Sequence, residues 1–134
     1  MNVSEPYLTN LESHEGKSGS LSFLQESGEF PISIKRVYWI YGVAENADRG
    51  NHAHLNADRV IICMQGAADV HIENAKGKSW TFKLTTPAQY VFFPRNHWVK
   101  IKLPPQSILV TLASCLFEED VLEKDYTKFR QADR

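Results

Sequence analysis

The hydrophobic positions of this chain come in short runs that alternate with polar residues, and the period changes only near the end. The segment ISIKRVYWIYGV, residues 32–43, is dense in β-branched and aromatic residues and predicts a long strand. RVIICMQG, 59–66, predicts a buried strand stopped by Gly66. In ADVHIEN, 68–74, Val70 and Ile72 fall on one face and Asp69, His71 and Glu73 on the other. SWTFKLT, 79–85, alternates again through Trp80, Phe82 and Leu84. QYVFFP (89–94), HWVKIKL (97–103) and SILVTLAS (107–114) complete the set. Ala75 to Lys78 reads as a hairpin turn, and Thr86-Pro87, Pro94 and Pro104-Pro105 punctuate the rest. Nearer the start, 21–25 fits a short strand, Gly28 to Pro31 a turn, and 13–20 and 44–51 polar loops. Residues 118–131 contain neither Gly nor Pro, and Leu122, Tyr126 and Phe129 recur at i, i+4 and i+7. That spacing predicts a surface helix over about 118–131.

Eight or so strands ahead of one helix predict an all-β domain, a jelly-roll sandwich or barrel. The length of 134 residues allows one domain, and 43% hydrophobic residues are enough for a core. A net charge of −1 excludes a nucleic-acid module carried by bulk electrostatics, though not a local basic pocket. No apolar run approaches the ~18 residues that span a bilayer. No basic region followed by an apolar stretch opens the chain, so a cytoplasmic protein with no membrane contact is expected. Cys63 and Cys115 sit in apolar surroundings and read as buried thiols. Trp80, Phe82, Phe92 and Phe93 read as packing, His71 as a residue facing solvent or an interface.

Candidate chemistry concentrates in DRGNHAHLNADRVIICMQG, residues 48–66. In an extended chain His52 and His54 point to one face, with Asn51, Ala53 and Leu55 on the other. Two imidazoles on one face can hold a metal or move protons. A metal site would draw on His52, His54, Asp58 and His97. Acid–base work would need no metal, and an arginine, Arg49 or Arg36, would then place an anionic substrate.

The order IKRVYWIYGV, then RGNHAH, then RVIICMQG resembles the sugar-nucleotide 3,4-ketoisomerases of the cupin superfamily (the FdtA/QdtA, WxcM-like group). Gly19-Ser20-Leu21 and LASCLFEEDVLEKDYTKF, 112–129, extend the resemblance over about residues 18–130. It implies a cupin jelly-roll barrel with a short C-terminal helix. It implies a metal-free, cofactor-free isomerase that moves the keto group of a dTDP-4-keto-6-deoxyhexose from C4 to C3 through an enediol, in deoxysugar synthesis. His52 and His54 would be the acid–base pair and Tyr38 a proton shuttle or sugar-hydroxyl partner. Arg36, Arg49, Asn51, Arg95, His97 and Trp98 would contact the substrate. A homodimer with exchanged N-terminal segments, about 1–20, is implied too. Ser18, Leu55, Arg59, the segment Arg95 to Trp98, and Val121-Leu122 depart from the family pattern. The alternatives are a sugar-nucleotide-binding cupin without catalysis and a metal-dependent cupin enzyme.

Overall fold

The computed structural model describes residues 5–132 of the chain. Of the segment 1–20 expected to exchange between subunits, residues 1–4 lie outside that range. Twelve strands and one helix are described: β1 Tyr7–Asn10, β2 Glu12–Gly16, β3 Gly19–Phe23, β4 Arg36–Ile40, β5 Ala47–His54, β6 Arg59–Gln65, β7 Ala68–Asn74, β8 Ser79–Leu84, β9 Gln89–Phe93, β10 His97–Leu103, β11 Ile108–Ala113, β12 Leu122–Glu123 and α1 Tyr126–Gln131. A 3-10 turn, Phe117–Glu119, lies between β11 and β12.

Two five-stranded sheets make the body, ordered β1-β9-β6-β11-β4 and β12-β5-β10-β7-β8. Every pairing within them is antiparallel. The alternation seen in the sequence explains how they stack. Ile61, Cys63, Val91, Phe93 and Leu109 of the first sheet meet Val70, Ile72, Leu84, Val99, Ile101 and Leu103 of the second. Burying those side chains between two pleated faces is the main drive for the fold. The outer face of the first sheet buries Val60, Ile62, Phe92 and Leu112 beneath Ile32, Leu11, Leu24 and Phe30. The outer face of the second buries Ala53 and Trp98 beneath Phe129 of α1. The result is the jelly-roll arrangement that the strand spacing predicts, as a two-sheet sandwich.

Four expectations need correction. The segment 32–43 is not one long strand. Only Arg36–Ile40 pairs, on the edge beside β11, while Ile32 and Ile34 leave the ladder to cover the outer core. Residues 13–20 are not a loop: Glu12–Gly16 and Gly19–Phe23 form a hairpin that pairs with neither large sheet. Part of the expected loop 44–51 is likewise the start of β5. The helix over 118–131 is reduced to six residues. Upstream, the backbone is claimed by the sheet edge, where Leu122 and Glu123 pair with His54 and Ala53 and the Leu55 amide donates to the Val121 carbonyl. Asp125 then caps α1 by accepting from the Lys128 amide. Leu122 is therefore a strand residue, and the expected apolar stripe keeps only Tyr126 and Phe129.

Phe129 is fully buried and packs against Trp98, with ring centroids 5.6 Å apart and the planes tilted by 47°. It fastens the end of the chain to the second sheet. Phe129→Ala is expected to destabilise the fold by about 3–5 kcal/mol, measured as a lower urea midpoint with an unchanged m-value.

Candidate active site

The inner faces of the two sheets are apolar along most of their length and polar at one end. On β4, alternation sends Arg36, Tyr38 and Ile40 inward and Val37 and Trp39 outward. On β6, Arg59 shares the inward side of Ile61 and Cys63. From the opposite sheet, His52 stands across from the core residue Val99, and His54 follows two residues on. Tyr38, Arg49, His52, Arg59, Phe93 and Thr111 line a cavity of about 220 Å³ between the sheets.

The histidine strand reaches that cavity through an irregularity. Gly50 and Asn51 both have positive φ, 88° and 60°, and the register with β10 shifts between Val99 and Lys100. A Cβ on Gly50 would lie 2.6 Å from the Val99 carbonyl oxygen. Only glycine allows β5 to run this close to β10 while turning the imidazoles inward.

The two rings work as a pair. His52 Nε2 and His54 Nε2 lie 2.8 Å apart. His54 Nδ1 lies 2.7 Å from Asp120 Oδ2. An ionised carboxylate only accepts, so His54 Nδ1–H donates to Asp120 and its Nε2 is left bare. The Nε2–H of His52 then donates to it. The other side of Asp120 accepts from Arg36 Nη2 at 2.7 Å. The chain Arg36–Asp120–His54–His52 thus runs from a buried ion pair to the cavity wall.

The electrostatics keep both rings neutral. Burial, then the nearby Arg59 guanidinium, lower the His52 pKa below its ordinary value. The same two causes lower His54 to about 3, against the pull of Asp120. Burial pushes the Asp120 carboxyl up, but the Arg36 hydrogen bond and His54 outweigh it and hold the group below the usual carboxylate range. Neutral imidazoles at neutral pH are ready to accept protons.

The expected site residues divide into two groups. His52, Tyr38 and Arg49 line the cavity; His54 and Arg36 back it through Asp120. The others lie elsewhere in the chain's fold. Arg95 forms an ion pair with Asp58 at 3.1 Å. His97 lines a separate cavity with Trp80, Glu5 and Arg95. Trp98 follows the alternation of β10 to the outer face, beneath Tyr126 and Phe129. Asn51 is exposed and does not line the cavity. With Asp58 committed to Arg95 and His97 in its own cavity, the ligand set His52, His54, Asp58 and His97 is not assembled. No local pattern in the sequence points to Asp120, which lies 66 residues beyond His54, inside an acidic run that reads as a helix start. In the sequence Arg59 stands out only as a departure from the family pattern; its inward parity with Ile61 and Cys63 is the signal for its place.

The chain is similar to known proteins both in sequence and in fold. The family model FdtA: WxcM-like, C-terminal matches residues 4–134. A TDP-4-oxo-6-deoxy-alpha-D-glucose-3,4-oxoisomerase of Aneurinibacillus thermoaerophilus is 27% identical over 114 residues, 84% of this chain and 81% of that protein. Among solved structures, the WlaRB TDP-quinovose 3,4-ketoisomerase of Campylobacter jejuni superposes with a TM-score of 0.87 at 29% identity, covering 97% of this chain and all of the other. A 3,4-ketoisomerase of Helicobacter canadensis gives 0.84 at 27% identity, covering 96% and 97%.

Free histidine is half protonated near pH 6.5. Because burial and Arg59 disfavour the cation, the His54 ring is expected to stay neutral as pH falls through 6.5 and to titrate only near pH 3. Imidazole NMR shifts check this; a midpoint near 6.5 for His54 contradicts the relay.

Proposed function

The chain belongs to the FdtA family (WxcM-like, C-terminal), and we propose that it is a 3,4-ketoisomerase acting on a dTDP-4-keto-6-deoxyhexose. The observation that carries this reading is the paired imidazoles, one on the wall of the cavity between the sheets and the other held in one tautomer by Asp120. Carbonyl migration asks for little else. The C3–H bond breaks and its proton goes to the imidazole pair. The bond's electrons form the C3=C4 double bond, and O4 gains a proton to give the enediol. Collapse in the other direction removes the O3 proton, forms the C3 carbonyl and returns a proton to C4. Electrons and protons balance, so the reaction needs no redox cofactor.

The residues sort by position. His52 faces the substrate, and His54 takes up or returns the second proton behind it. A proton gained by the pair is stabilised by the Asp120 carboxylate. Tyr38, on the cavity wall, moves a proton between O3 and O4. Arg49, exposed at the cavity wall, meets the diphosphate. Such biosynthesis of activated deoxysugars belongs in the cytoplasm; no helix among the described residues is long and apolar enough to cross a membrane.

The working unit is a homodimer. All ten strand residues of the β2–β3 hairpin are exposed, and an isolated two-stranded hairpin is marginally stable in water. The outer face of the neighbouring sheet also leaves Val37, Trp39 and Tyr41 at 48%, 58% and 72% exposure. A second copy covering these groups explains both. Sedimentation equilibrium is expected to give twice the chain mass for the native protein and a monomer for Trp39→Glu.

Incubated with dTDP-4-keto-6-deoxyglucose, the protein is expected to move the carbonyl to C3, followed by NMR. His52→Asn and Asp120→Asn are each expected to lower kcat by about 10²–10⁴-fold. The acid limb of the native kcat profile is expected below pH 6.5, because the base must be neutral and its pKa is lowered. Affinity for the nucleotide sugar without turnover refutes the enzymatic reading.

A further inference from the structure

Arg59 is the least explained group in the cavity. It opens β6 and points inward, and only 3% of it is exposed. Its guanidinium lies on the Phe93 ring, 4.5 Å from the centroid, and interacts with the Tyr38 hydroxyl. Yet its Nε and Nη2 atoms are buried and find no hydrogen-bond partner. A buried cation without a counter-ion is strongly disfavoured unless a ligand completes it. Arginine stays protonated even when burial lowers its pKa, as here.

The surroundings cannot supply the missing anion. The nearby carboxylate, Asp120, already accepts from His54 and from Arg36. With both imidazoles neutral, Arg36 and Asp120 cancel and the charge of Arg59 stands unbalanced. Its field also makes it harder to protonate His52 and His54. A structural cation–π contact needs only the face of the guanidinium, and accounts for neither the free donor edge nor its place in the cavity that holds the base.

We propose that Arg59 is a catalytic residue whose Nε–H and Nη2–H groups bind the oxyanion formed on the substrate carbonyl as the C3 proton leaves. The proposal rests on the ketoisomerase reading and adds to it the group that stabilises the intermediate. As the C3–H pair becomes the C3=C4 bond, the C4=O π electrons move onto O4, and the proton rests on the imidazole pair. The negative charge then appears in the cavity that the buried guanidinium of Arg59 lines. Donors already in place act more strongly there than water does, because they need no reorientation as the charge forms. In the resting protein the same guanidinium keeps the pair deprotonated. Once O4 is anionic, it screens that repulsion, and the protonated pair is tolerated.

The test uses Arg59→Gln and Arg59→Lys in the full chain. With dTDP-4-keto-6-deoxyglucose, Arg59→Gln is expected to lower kcat by about 10²–10³-fold with KM changed less than threefold. Exchange of the C3 proton with deuterated solvent is expected to fall in parallel, and the acid limb to move up toward pH 6.5. Arg59→Lys, which keeps the charge but loses the fork, is expected to recover part of the rate. A kcat within threefold of the native value in Arg59→Gln overturns the proposal; if that variant does not fold, the same result in Arg59→Lys overturns it. Oxalate, a planar mimic of an enediolate, separates this proposal from the reading beneath it. If the native protein isomerises no 4-keto sugar, the ketoisomerase reading falls, and oxalate binding decides on Arg59. Affinity at least tenfold weaker in Arg59→Gln upholds the oxyanion site. Equal affinity, or none in the native protein, overturns it.

Discussion

The bond between His54 and Asp120 sets the state of everything around it. A carboxylate that can only accept forces the proton of His54 onto Nδ1, and that choice leaves Nε2 to receive His52. Without Asp120 either tautomer would serve, and the second imidazole would have no fixed direction. The dependence is mutual. A carboxylate this buried would tend to take up a proton. It remains charged because Arg36 on β4 and His54 on β5 approach it from opposite sheets. The ion pair therefore closes one end of the sandwich as well as preparing the base.

Strand alternation carries most of the remaining design. The period of two that buries Ile61 and Cys63 also aims Arg59 inward, and the one that exposes Trp39 aims Arg36 and Tyr38 at the site. The chain therefore needs no special element to bring polar side chains into an otherwise apolar chamber. It places polar residues at inward positions where the strands near one end of the core. Gly50 and Asn51 supply the only departure from regular geometry in β5 that the site requires.

How much of this was legible follows from the range of each interaction. The strand positions and the shared face of His52 and His54 rest on neighbours within a few residues, and alternation alone gives them. The same rule, applied strictly to β10, would have sent Trp98 to the outer face opposite Val99. The C-terminal segment could not be read locally. Its spacing fits a helix, but the open edge of β5 competes for the backbone and wins at Leu122 and Glu123. The β2–β3 hairpin looks polar because none of its side chains enters a core in this chain. Asp120 depends on a contact across 66 residues, which no local pattern encodes.

The strap that carries Asp120 has a consequence for when the protein becomes competent. Both five-stranded sheets except the short β12 are complete by Ala113, while the carboxylate, the edge strand and the clasp of Phe129 on Trp98 all follow. A chain emerging from the ribosome can assemble its sandwich, with the chamber formed and the imidazoles present, before the partner that orders them exists. Acid–base competence then arrives as a late, local docking event on a finished scaffold. Fraying of that strap in the mature protein would switch the histidines between ordered and disordered protonation without unfolding the sheets.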